Sequence, residues 1–443
     1  MNGALRHNAA DTFVPMGTGG RRGNKKNRRR RRMPASDRNA NNNPAIGIYT
    51  GIGASHSWLW FVDLFERNGF HHIRFLDESA ICSGDLARLD VLAVSGGDTF
   101  AMAGALGPSG AYELDKFITG GGLYLGACAG AYLPMNSSKT PLHHFNFARV
   151  KITNLRKVLP PALIKSHKFS MAYGCDFIFH PVREAVELKL SGDIAHDGKD
   201  RIVAPLYGGP GMTVHDNSVD ILARYHGFTP ETTFLVDREL ASETLLGTAA
   251  VVKVPRGRGT MVLFGPHFEH PDYPDANRLM VRVVEAVNPR SPLEFHCSGG
   301  DVKEDHVDGQ WVHSFKRELS NARIVAAGMD ILPMAWLIGY KVYEPEKIRV
   351  FIESMWRRIR GLEQQTPVSM EPEVIERLLD NARETVRLLR EMKRKMDSRD
   401  DTAELAGQLF RVLRGLAALF FTVYFQSRAQ SFMTSAQHHF DEE

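Results

Sequence analysis

The stretch Gly121-Gly-Leu-Tyr-Leu-Gly-Ala-Cys128-Ala-Gly-Ala-Tyr-Leu133 predicts a buried strand that turns sharply into a helix. Gly126 and Gly130 flank Cys128 two positions on either side, which is the spacing of a nucleophile elbow. Such a turn has a strained backbone and close neighbours, so only small residues fit beside the central one. We expect the turn to expose the sulfur at a helix N-terminus, where the dipole favours a thiolate. A buried cysteine packed beside glycines is the alternative interpretation.

Apolar runs alternate with helical patterns on the N-terminal side of this stretch. Strands are predicted at residues 45–50, 73–76 and 89–94, and helices at 57–68 and 111–119. This alternation is typical of a mostly parallel sheet with helices on both faces. Ligands of such sheets bind outside the carboxyl ends of the strands. Gly51–Ser55, Ser95–Thr99 and Cys128 all follow predicted strands, so we expect them to meet at one edge.

The chain is less regular between residues 134 and 225. Short strands are predicted there at residues 177–180, 202–206 and 219–225. Two apolar runs at 248–254 and 260–264 then predict a hairpin, and a helix over 277–286 follows.

His267 and Glu269 lie just after the second strand of that hairpin. A cysteine nucleophile needs a base that takes its proton and a third group that orients the base. His267 is a candidate for the base, and Glu269 is a candidate for the orienting carboxylate. The candidates for an oxyanion hole are the backbone N–H groups of Gly96 and Gly97, which follow a neighbouring strand, and of Ala129. A simple turn is the alternative for the two glycines.

The composition of the 443-residue chain is that of a soluble protein with a sizeable core, at 43% hydrophobic and 24% charged residues. Four cysteines without metal-type or disulfide-type spacing favour a reducing, cytoplasmic compartment. Nothing in the sequence implies a cofactor or a metal ion. We expect no secretory signal and no transmembrane segment, because the best apolar run, Gly415–Phe425, is short.

The charge of the chain is unevenly distributed. Residues 1–43 hold eleven Lys or Arg and two Asp or Glu, so the net charge of +4 leaves −5 for the remainder. This basic segment has no apolar periodicity, and we expect a disordered tail. Weak contact with nucleic acid or an anionic surface is one interpretation, and a solvated extension is the other.

After residue 289 the apolar residues recur at helical spacing. Stripes begin near Trp311, Pro345, Ile375 and Leu405, and they predict a helical region over residues 289–443. These stripes would either pack against the preceding domain or form a surface for self-association or for a protein partner.

Three segments together resemble the class I glutamine amidotransferase-like superfamily: Ser95-Gly-Gly97, Gly126-Ala-Cys-Ala-Gly130 and Gly265-Pro-His-Phe-Glu269. Within it, the strand-loop at 48–53, the elbow and Pro205–Pro210 are similar to the domain found at the N-terminus of eukaryotic biotin–protein ligases. The resemblance covers residues 44–288 and implies a flavodoxin-like sheet. It also implies a Cys128–His267–Glu269 triad that hydrolyses a glutamine-type amide, a small-molecule substrate, through a thioester.

Two hypotheses follow for the function. The first is a cysteine amidase or amidotransferase-like hydrolase that uses this triad. The second is a catalytically silent binding or scaffold protein on the same fold, whose C-terminal helices associate with a partner, because a fold does not by itself imply an activity.

Overall fold

A computed structural model describes residues 43–156, 159, 177–191, 199–287, 310–330, 332, 334–363 and 370–440, with side chains as far as 429. These residues all belong to one compact unit, Asn41–Glu443. The predicted basic tail lies outside the described residues, apart from its last position. The predicted boundary between residues 288 and 289 also lies outside them, so it stays a prediction.

The strands and helices are listed here in chain order. The strands are β1 (Ile46–Tyr49), β2 (Ile73–Leu76), β3 (Val91–Val94), β4 (Leu123–Ala127), β5 (Val150–Ile152), β6 (Val182–Leu190), β7 (Arg201–Leu206), β8 (Met212–Val214), β9 (Asp220–Phe228), β10 (Thr233–Phe234), β11 (Ala249–Arg256), β12 (Gly259–Phe264), β13 (Trp336–Ile338) and β14 (Lys341–Tyr343). The helices are α1 (Trp58–Arg67), α2 (Glu78–Cys82), α3 (Thr99–Thr119), α4 (Ala129–Tyr132), α5 (Arg238–Leu245), α6 (Pro274–Glu285), α7 (Gln310–Ala327), α8 (Pro345–Glu363), α9 (Pro372–Asp397) and α10 (Ala403–Phe440).

The central sheet is mixed, and its parallel part has the strand order β2-β1-β3-β4-β12. This is the flavodoxin-like order, which confirms the predicted fold class. Beyond β12 the sheet continues antiparallel through β11, β9 and β6. The strands β1, β3 and β4 are buried at every position, as expected for a parallel sheet covered on both faces.

The sequence analysis was wrong about the strand at residues 177–180. Among these residues the structure has only an isolated bridge, between Ile178 and Leu155. The backbone of Phe179 is hydrogen-bonded to Asn154 rather than to a strand. Its N–H donates to the Asn154 carbonyl oxygen at 2.8 Å, and its carbonyl oxygen accepts from Asn154 Nδ2 at 2.9 Å. The nearby strand β6 was missed, although its buried and partly exposed positions alternate along most of its length.

Helix α3 begins earlier than predicted, at Thr99 instead of residue 111. The carboxylate of Asp98 caps it by accepting a hydrogen bond of 3.0 Å from the Ala101 amide. The helical dihedrals are interrupted at Gly107, which has φ 56°, immediately before Pro108. This interruption hides the first half of the helix from a periodicity search.

The C-terminal region is helical, as predicted, and consists of α7–α10 with one short hairpin, β13–β14, that the sequence analysis did not predict. Its apolar stripes are buried inside the chain. The indole of Trp58 on α1, for example, lies 6.2 Å from the Phe351 ring and 5.9 Å from the Phe421 ring, measured between centroids. The stripes therefore pack against the α/β part of the same chain.

A cluster of charged side chains joins α1 to the C-terminal helices. The guanidinium of Arg358, only 8% exposed, donates to Asp63 Oδ1 at 2.6 Å and to Glu66 Oε2 at 2.7 Å. The hydroxyl of Tyr424 and the guanidinium of Arg428 donate to the other oxygen of Glu66, at 2.6 Å and 2.8 Å. These buried ion pairs hold α1 and the C-terminal helices in one relative position.

Helix α10 is much longer than the run Gly415–Phe425 that the sequence analysis considered. Within the described part of the chain, its segment Ala403–Ala429 is long and apolar enough to cross a membrane by length and composition alone. The most apolar window of this helix is 56% buried inside the molecule, which is typical of the core helix of a soluble fold.

Candidate active site

The elbow predicted at Cys128 is present as a strained turn between β4 and α4. Cys128 has φ 53° and ψ −108°, a positive φ that residues with a side chain rarely adopt. A Cβ added to Gly126 would collide with the Gly130 backbone, and a Cβ added to Gly130 would collide with the Val94 backbone. Only glycine fits at either position, which is the reason for the small-x-Cys-x-small spacing.

Two expectations about the sulfur need correction. Cys128 is only 5% exposed, so the turn does not present it on the open surface. The helix that follows is a single turn of four residues, too short to provide a strong dipole. The sulfur instead faces a cavity of about 850 Å³ and lies 3.7 Å from the carbonyl oxygen of Tyr207.

His267 and Glu269 lie beside this cavity because β12 pairs in parallel with β4. Phe264, the last residue of β12, is opposite Ala127, the last residue of β4. The residues that follow both strands therefore meet at one edge. His267 Nδ1 lies 2.6 Å from Glu269 Oε1, and these side chains are 3% and 0% exposed.

Packing fixes the plane of the imidazole. The ring of His267 meets the indole of Trp60 edge-on, with a centroid distance of 5.2 Å. On another side it approaches Gly96, where an added Cβ would lie 2.7 Å from His267 Cε1. Gly96 therefore makes room for the imidazole. Because the Glu269 carboxylate binds Nδ1, Nε2 is the ring nitrogen of His267 that is available to Cys128.

The thiol of Cys128 and the imidazole of His267 interact and shift each other's pKa. Burial raises the pKa of Cys128, but the hydrogen bond and the charge of His267 outweigh it, so the pKa falls below the ordinary thiol value. Burial lowers the pKa of His267, but the charge of Glu269 and the hydrogen bonds to Cys128 and Glu269 raise it to about 9. Both shifts favour a thiolate beside an imidazolium, the reactive form of a cysteine nucleophile.

The amides predicted to form an oxyanion hole differ in their surroundings. Gly97 and Ala129 line the cavity together with Cys128. Neither of their N–H groups donates to another group in the described part of the chain. The carbonyl of Gly96 accepts hydrogen bonds from the Ser55 amide at 3.0 Å and the Ser55 hydroxyl at 2.9 Å. An oxyanion role for any of the three amides stays a prediction.

The sequence analysis missed most of the cavity lining, including Tyr207, Tyr340 and Lys341. The Tyr207 carbonyl lies in the segment Pro205–Pro210, which was noted only for its resemblance. Tyr340 and Lys341 come from the unpredicted hairpin β13–β14 and also line the cavity. Nothing in the local sequence around these two residues signals such a position. Among the described residues, no group of three or more His, Cys, Asp or Glu is arranged to hold a metal ion.

Residues 86–288 match the sequence model of the family described as "Biotin-protein ligase, N terminal". The match confirms the resemblance on which the sequence analysis relied. Residues 86–288 are therefore similar to the domain at the N-terminus of biotin–protein ligases.

Solved structures show only distant likenesses. A protein assigned as a GMP synthase component, from Thermoplasma acidophilum, is 13% identical, with a TM-score of 0.33, over 54% of this chain and 93% of that one. A glutamine amidotransferase is 14% identical, with a TM-score of 0.34, over 54% and 99%. A β-galactosidase from Bacillus circulans sp. alkalophilus is 12% identical, with a TM-score of 0.32, over 55% and 31%. No curated protein sequence matches the chain.

Proposed function

We propose that this chain is a cysteine amidase of the glutamine amidotransferase-like type, which cleaves a carboxamide through a thioester. The observation that carries the proposal is that His267, whose Nδ1 lies 2.6 Å from Glu269 Oε1, follows the strand that pairs with the strand of Cys128 and interacts with this thiol. The three residues come from two strand ends and are held in place by a strained turn and by packing.

In the first half of the reaction, Cys128 Sγ, as a thiolate, attacks the carbonyl carbon of the amide. The electron pair of the C=O bond moves to the oxygen, and the proposed donors to this oxyanion are the amides of Gly97 and Ala129, which line the same cavity. As the C–N bond breaks, the His267 imidazolium gives its proton to the leaving nitrogen. Ammonia departs and the acyl group stays on Cys128 as a thioester.

In the second half, a water molecule attacks the thioester carbonyl. The His267 imidazole takes a proton from the water, and Glu269 stabilises the imidazolium that forms. The C–S bond breaks, the carboxylic acid leaves, and Cys128 returns as a thiolate beside the imidazolium. The reaction consumes one amide and one water and yields one acid and one ammonia.

The test is ammonia release from a panel of small carboxamides, with intact-protein mass spectrometry of the acyl-enzyme. We expect turnover of at least one carboxamide and a mass increase on Cys128 that disappears in Cys128→Ala. Cys82→Ala is the matched control, because Cys82 is an exposed thiol away from the site. Ammonia release that is equal in wild type and Cys128→Ala would overturn the proposal.

The alternative, a scaffold whose C-terminal helices bind a partner, has less support from the contacts. The apolar stripes of α7–α10 are buried against the chain itself. Partner binding, self-association and a cytoplasmic location stay predictions of the sequence analysis.

A further inference from the structure

The cavity in front of Cys128 carries an excess of positive charge. Its lining includes four cations, Lys139, Lys151, Arg156 and Lys341, against one carboxylate, Asp98. Among the ion pairs of the described residues, none involves Lys139, Lys151 or Lys341. A cleft of about 850 Å³ with this balance attracts an anion, because low-dielectric walls strengthen the field of its charges.

The single carboxylate of the lining, that of Asp98, already accepts hydrogen bonds from backbone amides of the protein. Asp98 Oδ1 accepts from the Ala101 amide at 3.0 Å, and Asp98 Oδ2 accepts from the Tyr340 amide at 2.7 Å. The second bond joins residues 242 positions apart and fixes the tip of the hairpin β13–β14 to the cavity. An extra Cβ at Gly339, the residue before, would collide with the same carboxylate.

This contact holds Lys341 at the cavity that Cys128 also lines. Lys341 is partly buried, in contrast to Lys139 and Lys151, which are exposed at the cavity. Its ammonium and the Cys128 thiolate are close enough to influence each other's charge: Lys341 helps to lower the pKa of Cys128, whereas the thiolate opposes the lowering of the Lys341 pKa by burial. Lys341 lies outside residues 86–288, the segment that matches a known family.

We propose that the substrate is an anionic carboxamide, and that Lys341 of the C-terminal hairpin binds its negatively charged group while Cys128 attacks the amide. The inference rests on the proposed function and narrows its substrate class. Lys139 and Lys151 draw the anion into the cavity, and Lys341 positions it next to the sulfur. The C-terminal region thereby completes a site whose nucleophile and base belong to the α/β part.

The test compares two alkylating agents of nearly equal size, iodoacetate and iodoacetamide, which differ in charge. Each rate constant is measured at Cys128 by peptide mass spectrometry. The iodoacetate-to-iodoacetamide ratio cancels any change in the thiolate fraction, because both agents need the same thiolate. We expect this ratio to be about tenfold higher in the folded protein than for the same cysteine in the urea-unfolded chain.

Lys341→Met should lower the ratio by about fivefold, since one favourable charge interaction is lost. Lys347→Met is the matched control, because it removes the same charge from the same region at a residue that does not line the cavity. It should leave the ratio within about twofold. If Lys341→Met detaches the hairpin from the cavity, Lys151→Met on β5 is the variant that tests the inference. We expect the iodoacetate-to-iodoacetamide ratio to decrease in that variant as well.

A ratio unchanged by both Lys341→Met and Lys151→Met would overturn the inference and leave the amidase proposal standing. If Cys128 instead reacts no faster than Cys82 with either agent, it is the amidase proposal that fails.

Discussion

The α/β part and the C-terminal region contribute to the candidate site in different ways. The α/β part brings Cys128 and His267 together through the register of two paired strands, with Phe264 opposite Ala127. The C-terminal region contributes Lys341 through a docked hairpin that one hydrogen bond from the Tyr340 amide attaches to Asp98. The reactive groups thus depend on the sheet itself, whereas the proposed recognition of charge depends on docking between two regions.

The difference also appears in how the groups are held. Glu269 and His267 are buried and two residues apart, so their geometry follows from the local chain once β12 is paired. Lys341 depends on the packing of helices more than two hundred residues away from the elbow. That packing relies on the ion cluster of Arg358, Asp63 and Glu66 and on aromatic contacts of Trp58.

The largest expected effect belongs to the α/β part. Glu269→Gln keeps the shape of the side chain but removes the charge that raises the pKa of His267. We expect the rate of Cys128 alkylation by iodoacetamide at neutral pH to fall about a hundredfold, since the imidazole loses its oriented, charge-stabilised form. Glu243→Gln, at an exposed residue of α5, is the control. A rate within twofold of wild type would show that the carboxylate does not orient the base.

The next effect tests the connection between the two regions. Arg358→Met leaves Asp63 and Glu66 without their principal cation, and we expect the free energy of unfolding to fall by about 3 kcal/mol. Urea unfolding followed by circular dichroism measures this loss. Arg387→Met, which removes exposed pairs on α9, should leave the midpoint unchanged. Equal stability of Arg358→Met and wild type would mean that the cluster does not hold the regions together.

The site's reactive residues could be predicted from the sequence because each has a local signal. The small residues around Cys128 follow from the collision that a Cβ would cause at Gly126 or Gly130. His267 and Glu269 follow an apolar strand directly, and strand ends of a parallel sheet share one edge. Their mutual contact was expected on this basis, and His267 Nδ1 lies 2.6 Å from Glu269 Oε1.

Other features could not be predicted, because their cause lies far away in the chain. The helix predicted at 111–119 covers only the second part of α3, because Gly107 and Pro108 interrupt the helical pattern before it. The expected exposure of the sulfur was wrong because Cys128 is buried at a cavity whose lining includes Tyr207 and residues of the hairpin β13–β14. Lys341 carries no local signal, because its position depends on distant contacts such as the hydrogen bond from the Tyr340 amide to Asp98.

The smallest expected effect is a change in stability on substituting either of two glycines that both have open space for a side chain. Gly415, exposed on α10 with regular helical geometry, should accept alanine with a gain in stability of about 0.5–1 kcal/mol. Gly69 has φ 80°, so Gly69→Ala should lose about 1 kcal/mol despite the same open space. Thermal unfolding measures both variants. A loss of stability in Gly415→Ala would indicate that this face of α10 is covered.

The central claim is that His267 holds Cys128 as a thiolate. The most direct test is the rate of Cys128 alkylation by iodoacetamide from about pH 5 to about pH 10, in wild type and His267→Gln. Because His267 lowers the Cys128 pKa, the midpoint of the wild-type profile should lie at lower pH than that of an ordinary thiol. In His267→Gln the raising effect of burial remains, so the rate should still be rising above pH 9, as for Cys82, whose pKa is raised. Superimposable profiles for the two proteins would contradict the account.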